Sequence, residues 1–168
     1  ARLELFTLHH NHLTGAIPEG IGNHSALEIL DLHFNLLTGS IPDETGDLAA
    51  LISLKLSDNL LTGPLPRSIG RLTAVELIDA ENNLLDGTLP VELNHLVNLQ
   101  TLFVQNNVLT GSPAVLFAAS ATLAQLEVLD LSNNLLTAHR LDLLHRLPSL
   151  KVVALSGKVL VLYLLKIS

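Results

Sequence analysis

The stretch NHLTGAIPEGIGNHSALEILDLHFNLLTGSIP, residues 11–42, contains its own opening twice, because residues 11–18 return with small changes as residues 35–42. The interval is 24 residues, and asparagine recurs at this interval along most of the chain. Five asparagines are 24 residues apart and a sixth follows after 27, namely Asn11, Asn35, Asn59, Asn83, Asn107 and Asn134. Repeats with a period of roughly 20 to 50 residues indicate a solenoid or another stacked-repeat architecture.

A fixed pattern of apolar residues, here called the frame, surrounds each of these asparagines in the sequence. Apolar residues lie eight, five and three places before it and two places after it, as in Leu27, Leu30, Leu32 and Leu37 around Asn35. The residues five and three places before it alternate like a short strand with one buried face. One such strand cannot cover its apolar side alone, so the pattern predicts parallel strands stacked around a continuous core. A seventh copy keeps the frame after the sixth asparagine, with Lys158 at the asparagine position.

The residues between one strand and the next also recur. Four copies continue from the asparagine as Leu-x-Gly-x-Ile/Leu-Pro, in which glycine permits positive φ or close approach and proline can begin a short helical turn. Gly22, Gly46 and Gly70 are expected to end that turn. The asparagine amide both donates and accepts hydrogen bonds, so we predict a ladder of the six asparagines that satisfies backbone groups where the chain bends.

The combined pattern LxxLxLxxNxLTGxIP, from residue 3 to about residue 160, resembles the plant-type leucine-rich repeat family of receptor-like proteins and receptor-like kinase ectodomains. The resemblance implies an α/β solenoid that is curved and right-handed. Its concave side carries a parallel β-sheet, a small second strand follows the turn, and its convex side is mostly 3₁₀ or irregular. We therefore expect one leucine-rich repeat domain over residues 1–168, with about seven repeats, an incomplete first repeat and none of the family's cysteine-bearing caps.

The last convex segments depart from the pattern. After Asn107 the Ile-Pro signature is lost and three residues are added, and after Asn134 the leucines Leu141, Leu144 and Leu147 are spaced as on an amphipathic helix. We predict that the last two convex segments are helical. The run VLVLYLL, residues 159–165, is predicted to be a final strand that covers the C-terminal end of the core.

Composition excludes several function classes. The net charge is −7 and the nine Lys and Arg residues are scattered, which argues against nucleic acid as a partner. Residues 159–165 are the longest apolar run, too short for the roughly 18 residues of a membrane span. There is no cysteine, and no GxSxG, HExxH, GxxxxGK[ST] or GxGxxG motif occurs. We expect a protein without enzymatic activity and without a cofactor.

The outward positions of the strands vary from copy to copy, whereas the framework does not. Stacked strands present such positions as columns on the concave face, which is the expected layout of a recognition surface for a protein, peptide or glycan. The alternative is that these positions vary because packing leaves them unconstrained. The predicted ligand-binding residues are Asp31, His33, Phe34, Lys55, Asp58, Asp79, Glu81, Phe103 and Gln105.

Histidines are concentrated in the first two strands. His9, His10, His12 and His33 are expected to lie near one another and near Asp31, and neutral imidazoles at such a separation can bind a metal ion or switch charge between pH 5 and 8. No motif of the resembling family places a metal there. We therefore favour solvated surface histidines and predict no metal site.

Two alternatives to ligand recognition remain open at this point. The chain can be an architectural subunit whose ends and sides dock to neighbouring subunits. It can also bind ice through a row of hydroxyls, although the next column offers no second row; that row is Thr14, Thr38, Thr62, Thr110 and Thr137. Asn23 begins the one N-x-[ST] sequon and is a glycosylation candidate, and together with the family resemblance it favours an extracellular or other extracytoplasmic location.

Overall fold

The structure is a computed structural model of the 168-residue chain. It describes residues 2–116, 123–137, 146–155 and 158–161, the last of these as backbone only. Within these ranges the chain winds as a solenoid of stacked repeats. The helices predicted for the last two convex segments fall mainly on residues 117–122 and 138–145, outside the described residues.

The main sheet has eight strands and lies on one side of the solenoid. Its strands pair in the order β1-β3-β5-β7-β9-β10-β11-β12, and all pairs are parallel except β11 with β12, which is antiparallel. The strands are β1 Leu5–Thr7, β3 Ile29–Asp31, β5 Ser53–Lys55, β7 Leu77–Asp79, β9 Thr101–Phe103, β10 Val128–Asp130, β11 Val152–Leu155 and β12 Lys158–Val161. β12 therefore departs from the parallel order of the other strands.

The strands are in register at equivalent repeat positions. Leu30 pairs with Leu54, Leu54 with Ile78 and Ile78 with Leu102, so residues five places before each asparagine stack in one buried line. The framework positions of the second to fifth copies are buried in one continuous core, and in the sixth copy Leu136 is half-buried against it, whereas Leu3, Leu8 and Leu13 of the first copy are exposed. The solenoid with a parallel sheet that the repeat predicts is confirmed.

The asparagines join consecutive repeats. The Asn59 Nδ2 group donates to the carbonyl oxygens of Leu32 and Leu56, at 3.0 and 3.1 Å, and its Oδ1 accepts from the Leu37 N–H at 3.0 Å. The same arrangement recurs at Asn35, Asn83, Asn107 and Asn134. Asn11 is exposed, and its side-chain amide donates to the carbonyls of Leu8 and His9 in its own repeat.

A second, narrower sheet follows the asparagine turn on the side of the solenoid. Its parallel strands are β2 Thr14–Gly15, β4 Leu36–Gly39, β6 Leu60–Pro64 and β8 Leu84–Asp86. The chain reaches them through a residue with positive φ just before each asparagine, and it leaves them through a glycine with positive φ, as at Gly39 with φ 76°.

The convex side consists of short 3₁₀ segments at Glu19–Asn23, Asp43–Asp47, Arg67–Arg71, Val91–His95 and Pro113–Leu116. Gly46 lies inside its segment, so our expectation that Gly22, Gly46 and Gly70 end the turn is wrong. Glycine is needed there because the next repeat packs against it: a Cβ on Gly46 would lie 2.3 Å from the Ser68 carbonyl oxygen. Asn94 replaces the glycine in the fourth copy and donates to the Val115 carbonyl at 2.7 Å.

Candidate functional site: the concave face

The concave face is formed by the outward side chains of the main sheet and of the turn that follows each strand. Parallel pairing with identical register places equivalent positions side by side, as in Asp31, Lys55 and Asp79. Neighbouring strands are about 4.8 Å apart, so side chains of adjacent repeats touch. The face divides into two regions of different chemistry.

The first region is a histidine cluster, which we define as His9, His10, His33 and Phe34. The rings of His9 and His33 are stacked with centroids 4.7 Å apart, and those of His10 and Phe34 are stacked at 4.5 Å. The two pairs meet edge to face, with His10 and His33 at 4.9 Å. Phe34 is 48% exposed, whereas His33, the other predicted binding residue of the cluster, is half-buried.

Asp31 lies beneath this cluster and is only 5% exposed. Its Oδ1 is 2.5 Å from His33 Nδ1, and its Oδ2 is 3.7 Å from both His9 Nδ1 and Lys55 Nζ. Burial raises the pKa of the Asp31 carboxyl, but hydrogen bonds from His33 and the charges of His33 and Lys55 outweigh it and lower the pKa overall. Asp31 is therefore held as a carboxylate by its neighbours.

The second region is an acidic patch, which we define as Asp58, Asp79 and Glu81. Burial raises the pKa of Asp79, against the opposing hydrogen bond in which the Ser57 hydroxyl donates to its Oδ2 at 2.8 Å. Burial and the negative charges of Asp79, Asp58 and Asp130 raise the pKa of Glu81. Three half-buried carboxyls on adjacent strands create a surface that attracts cations.

An amide row continues from the acidic patch along the turn; we define it as Asn82, Asn106 and Asn133. Asn82 Nδ2 donates to Asp58 Oδ1 at 2.9 Å, Asn106 Nδ2 to Asn82 Oδ1 at 2.6 Å, and Asn133 Nδ2 to Asn106 Oδ1 at 2.7 Å. All donate in the same direction along the solenoid. Each row residue has a positive φ between 51° and 55°, a conformation that asparagine tolerates better than most residues.

The remaining predicted binding residues are on the same face. Phe103 is half-buried rather than exposed, so it offers less contact area than Phe34. Gln105 is also half-buried, and its Oε1 has no hydrogen-bond partner among the described residues. The nine predicted residues thus lie on three adjacent columns across four strands, and the assignment of ligand binding to them stays a prediction.

The sequence analysis missed one outward column of the main sheet. The strand residues two places before the Thr7–Asp31–Lys55 column also face outward, and Leu5 and Ile29 are exposed there. Strand alternation contains this signal, because both neighbours of a buried strand residue must point the other way. The concave face therefore has an apolar margin beside the histidine cluster.

The side face carries the threonine row of the ice-binding alternative. Thr14, Thr38, Thr62, Thr110 and Thr137 are all exposed, as expected. The column beside them is apolar and was not considered in the sequence analysis; it contains Leu36, Leu60, Leu84, Val108 and Leu135, all exposed. Asn23, the glycosylation candidate, and Ser25 are exposed at the end of the first 3₁₀ segment.

Comparison with family models identifies the repeats. The leucine rich repeat model matches residues 1–61 and 25–85, and a second leucine rich repeat model matches residues 125–147. Comparison with curated proteins gives no match. No helix among the described residues has the length and apolar character needed to cross a lipid bilayer.

Solved structures of plant receptors are similar to the chain. The plant peptide hormone receptor RGFR1 in complex with RGF2 is 35% identical with a TM-score of 0.86, and the match covers 92% of this chain and 24% of the receptor chain. The Arabidopsis receptor kinase HAESA, solved with the peptide hormone IDA and the co-receptor SERK1, is 31% identical with a TM-score of 0.76 over 87% of this chain and 24% of that one.

The BIR3–SERK2 complex from Arabidopsis thaliana gives a match of 29% identity and a TM-score of 0.69, covering 83% of this chain and 72% of that chain. This chain therefore spans about a quarter of the length of the first two receptor chains. From the family-model matches, the 24-residue repeat and these structures, the chain belongs to the plant-type leucine-rich repeat family.

Proposed function

We propose that this chain is a non-catalytic recognition segment of an extracellular plant-type receptor ectodomain, and that it binds a peptide or protein through its concave face. The observation that carries the proposal is the contrast between an invariant framework and a varied outward surface. On that surface an exposed aromatic ring, Phe34, lies two strands from a cation-attracting patch around Glu81. The similar receptors RGFR1 and HAESA are solved with RGF2 and with the peptide hormone IDA, respectively.

The dimensions of the face fit an extended peptide. Six strands, β1 to β10 of the main sheet, are separated by five spacings of about 4.8 Å, a span of roughly 24 Å. At about 3.3 Å per residue, this span accommodates about seven extended residues. A ligand that crosses the strands would place an apolar or aromatic side chain on the histidine cluster and a Lys or Arg on the acidic patch.

A displayed library of random peptides tests this proposal. We expect selection on the 168-residue chain to enrich peptides in which a basic residue follows or precedes an aromatic residue at a fixed spacing. Glu81→Lys should abolish binding of the enriched peptides, since it reverses the charge of the patch. Glu19→Lys, a charge reversal at an exposed position on the convex side, is the matched control and should leave binding unchanged. Equal loss in both variants would contradict the concave site.

The extracellular location is tested through the sequon. Asn23 and Ser25 are exposed, so an oligosaccharyltransferase can reach the site in a secreted chain. Expression through a eukaryotic secretory pathway should add a mass that a peptide N-glycosidase removes. Asn23→Gln should lack this mass, and an unmodified secreted wild-type chain would count against glycosylation at Asn23.

A second function, docking of the side face to a neighbouring subunit, is favoured by one observation. The apolar column Leu36, Leu60, Leu84, Val108 and Leu135 is exposed in five consecutive repeats. Contiguous exposed apolar surface marks interaction sites in soluble proteins. Self-assembly through this face would raise the mass measured by light scattering with concentration, and Leu60→Lys would return it to that of one chain. A monomer at all concentrations would remove self-assembly as a function.

A further inference from the structure

Three potential metal ligands meet at the start of the concave face, within the histidine cluster and Asp31. One ligand atom from each of His9, Asp31 and His33 lies within 4.8 Å of the other two. The three residues come from adjacent strands and the turns after them, so the rigid register of β1 and β3 brings them together.

The carboxylate is the fixed member of this group. Asp31 is 5% exposed, and its Oδ1 also accepts from the His33 backbone N–H at 3.3 Å. A buried carboxylate needs a cation or donors to compensate the cost of desolvation. His33 and Lys55 do this in part, while His9 Nδ1, on a half-exposed ring, faces the other oxygen at 3.7 Å.

We propose that His9, Asp31 and His33 form a transition-metal site with Zn²⁺ as its preferred ion. Two imidazoles and one carboxylate are a common zinc donor set, with metal–ligand distances near 2.0–2.2 Å. Ligand atoms on such a tetrahedron are about 3.3 Å apart. The 3.7 Å separation of His9 Nδ1 and Asp31 Oδ2 is close to this value. The 2.5 Å separation of His33 Nδ1 and Asp31 Oδ1 is that of a hydrogen bond, which widens when a metal ion replaces the shared proton.

The histidine rings must tilt for both nitrogens to reach one ion. His9 and His33 are stacked with 15° between their planes and centroids 4.7 Å apart, so their in-plane Nδ1 lone pairs lie in separate, nearly parallel planes and do not converge on one ion. Side-chain rotation of His9 resolves this, because its side chain is 44% exposed and stands on the open side of the cluster. His33 is more enclosed and keeps its position against Asp31. The cost of this rotation is part of the binding free energy.

The Lys55 ammonium group would compete with a metal ion for the Asp31 carboxylate. Its Nζ lies 3.7 Å from Asp31 Oδ2, the same oxygen that faces His9. A divalent ion beside Asp31 repels the ammonium group, so binding requires the half-exposed Lys55 side chain to swing towards solvent. The site is therefore expected to bind zinc more tightly when Lys55 is replaced by a neutral residue of similar length.

The chemistry of the donor set favours zinc and its neighbours over magnesium or calcium. Imidazole suits Zn²⁺, Ni²⁺, Cu²⁺ and Co²⁺, whereas magnesium and calcium prefer oxygen ligands only. Three protein ligands leave a fourth tetrahedral position open. Water or a donor group of a bound peptide would occupy this position.

The proposal is tested by calorimetric titration of the tag-free 168-residue chain with zinc chloride. We expect one Zn²⁺ per chain. His9→Asn and His33→Asn should each weaken binding by at least the roughly 10- to 100-fold that loss of a supporting group costs at metal sites. His24→Asn, which removes an exposed histidine from the convex side, should bind as the wild type does. Lys55→Met should bind more tightly, a gain that misfolding cannot produce.

Two further measurements locate the ion. Co²⁺ in place of Zn²⁺ should give the intense visible bands of a four-coordinate site, and ¹⁵N shifts of the imidazoles should report coordination through Nδ1 of His9 and His33. Absence of zinc binding by the wild type at about 1 mM metal, the limit of weak affinity, would overturn the proposal. Equal affinity in the wild type, His9→Asn and His33→Asn would overturn it as well, because the bound ion would then lie elsewhere.

Discussion

The two regions of the concave face share one backbone geometry and fill it with different chemistry. The residue before each asparagine has a positive φ near 50° in all six described turns. The acidic patch and amide row place Asp58, Asn82, Asn106 and Asn133 there, and short polar side chains tolerate this conformation. The histidine cluster places His10 and Phe34 there instead. Histidine also tolerates this conformation, whereas the bulky Phe34 side chain is expected to cost stability there.

The largest expected effect on stability comes from substitutions in the asparagine ladder, which lies below both regions. Asn59→Ala should lower the free energy of unfolding by about 3 kcal/mol or more, because it removes several buried hydrogen bonds and takes away the Asn59 Oδ1 that accepts from the buried Leu37 N–H. The carbonyls of Leu32 and Leu56 each lose one of their two asparagine donors. Asn11→Ala, below the histidine cluster, should cost under about 1 kcal/mol because Asn11 is exposed and its side chain bonds within one repeat. Urea unfolding of both variants measures the difference, and similar losses would show that the ladder does not join repeats.

A smaller loss of stability is expected when the phenylalanine of the histidine cluster is copied to the equivalent turn position of the amide row. Asn82→Phe places a bulky residue at φ 52° and breaks the amide row on both sides. We expect a loss of about 1–3 kcal/mol from backbone strain and missing hydrogen bonds. The measurement is again the urea midpoint at constant slope. Wild-type stability in this variant would show that the turn accepts any side chain.

Placing asparagine at the turn position of the histidine cluster should stabilise the protein. Phe34→Asn relieves the strained turn and exposes less apolar surface, so we expect an increase of up to about 1 kcal/mol, reduced by the lost stacking on His10. The same variant should bind peptides selected on the wild type more weakly. A stability decrease together with unchanged peptide binding would mean that Phe34 belongs to the scaffold and not to the binding surface.

The smallest expected effect on the free energy of unfolding comes from the carboxyl groups of the concave face and depends on pH. Asp79 and Glu81 have pKa values raised above 3.8 and 4.5, so the folded state binds protons more tightly than the unfolded state. Their contribution opposes folding at neutral pH and diminishes as the pH falls through the raised values. Asp31, with a lowered pKa, contributes stability that is lost only below 3.8.

Glu81→Gln should therefore stabilise the chain at pH 7 by on the order of a few tenths of a kcal/mol, since the group is partly solvated. The gain should shrink at pH 5. Melting temperatures of wild type and variant at both pH values give the comparison. Glu76→Gln, which removes an exposed carboxyl outside the patch, is the control for the loss of one negative charge. A gain that is larger at pH 5 than at pH 7 would reverse the assigned sign.

Much of this fold is contained in the period of the sequence. Framework positions recur at a fixed phase, and the parallel register follows from the phase because equivalent residues must stack. The sequence also located three outward columns as strand and turn positions, but it missed the strand column that contains Leu5 and Ile29. It did not reveal why Gly46 is small, because the cause is the Ser68 carbonyl of the next repeat and not the local turn.

The individual character of the concave residues was harder to predict. Asp31 and Lys55 occupy equivalent positions, yet Asp31 is buried and Lys55 is half-exposed. The difference arises from side-chain packing across strands: His33 and Lys55 close over the Asp31 carboxylate. Position in a repeat fixes the direction of a side chain, whereas its neighbours on both sides fix its burial and its charge state.

Because the pairing register is constant, equivalent side chains on the concave face are separated by whole strand spacings. Insertion or deletion of one 24-residue unit would leave the framework bonds intact and move the histidine cluster relative to the acidic patch by one strand spacing, about 4.8 Å. In an extended ligand this step corresponds to roughly one and a half residues. Gain or loss of whole repeats would thus change the ligand length in discrete steps, independently of any substitution.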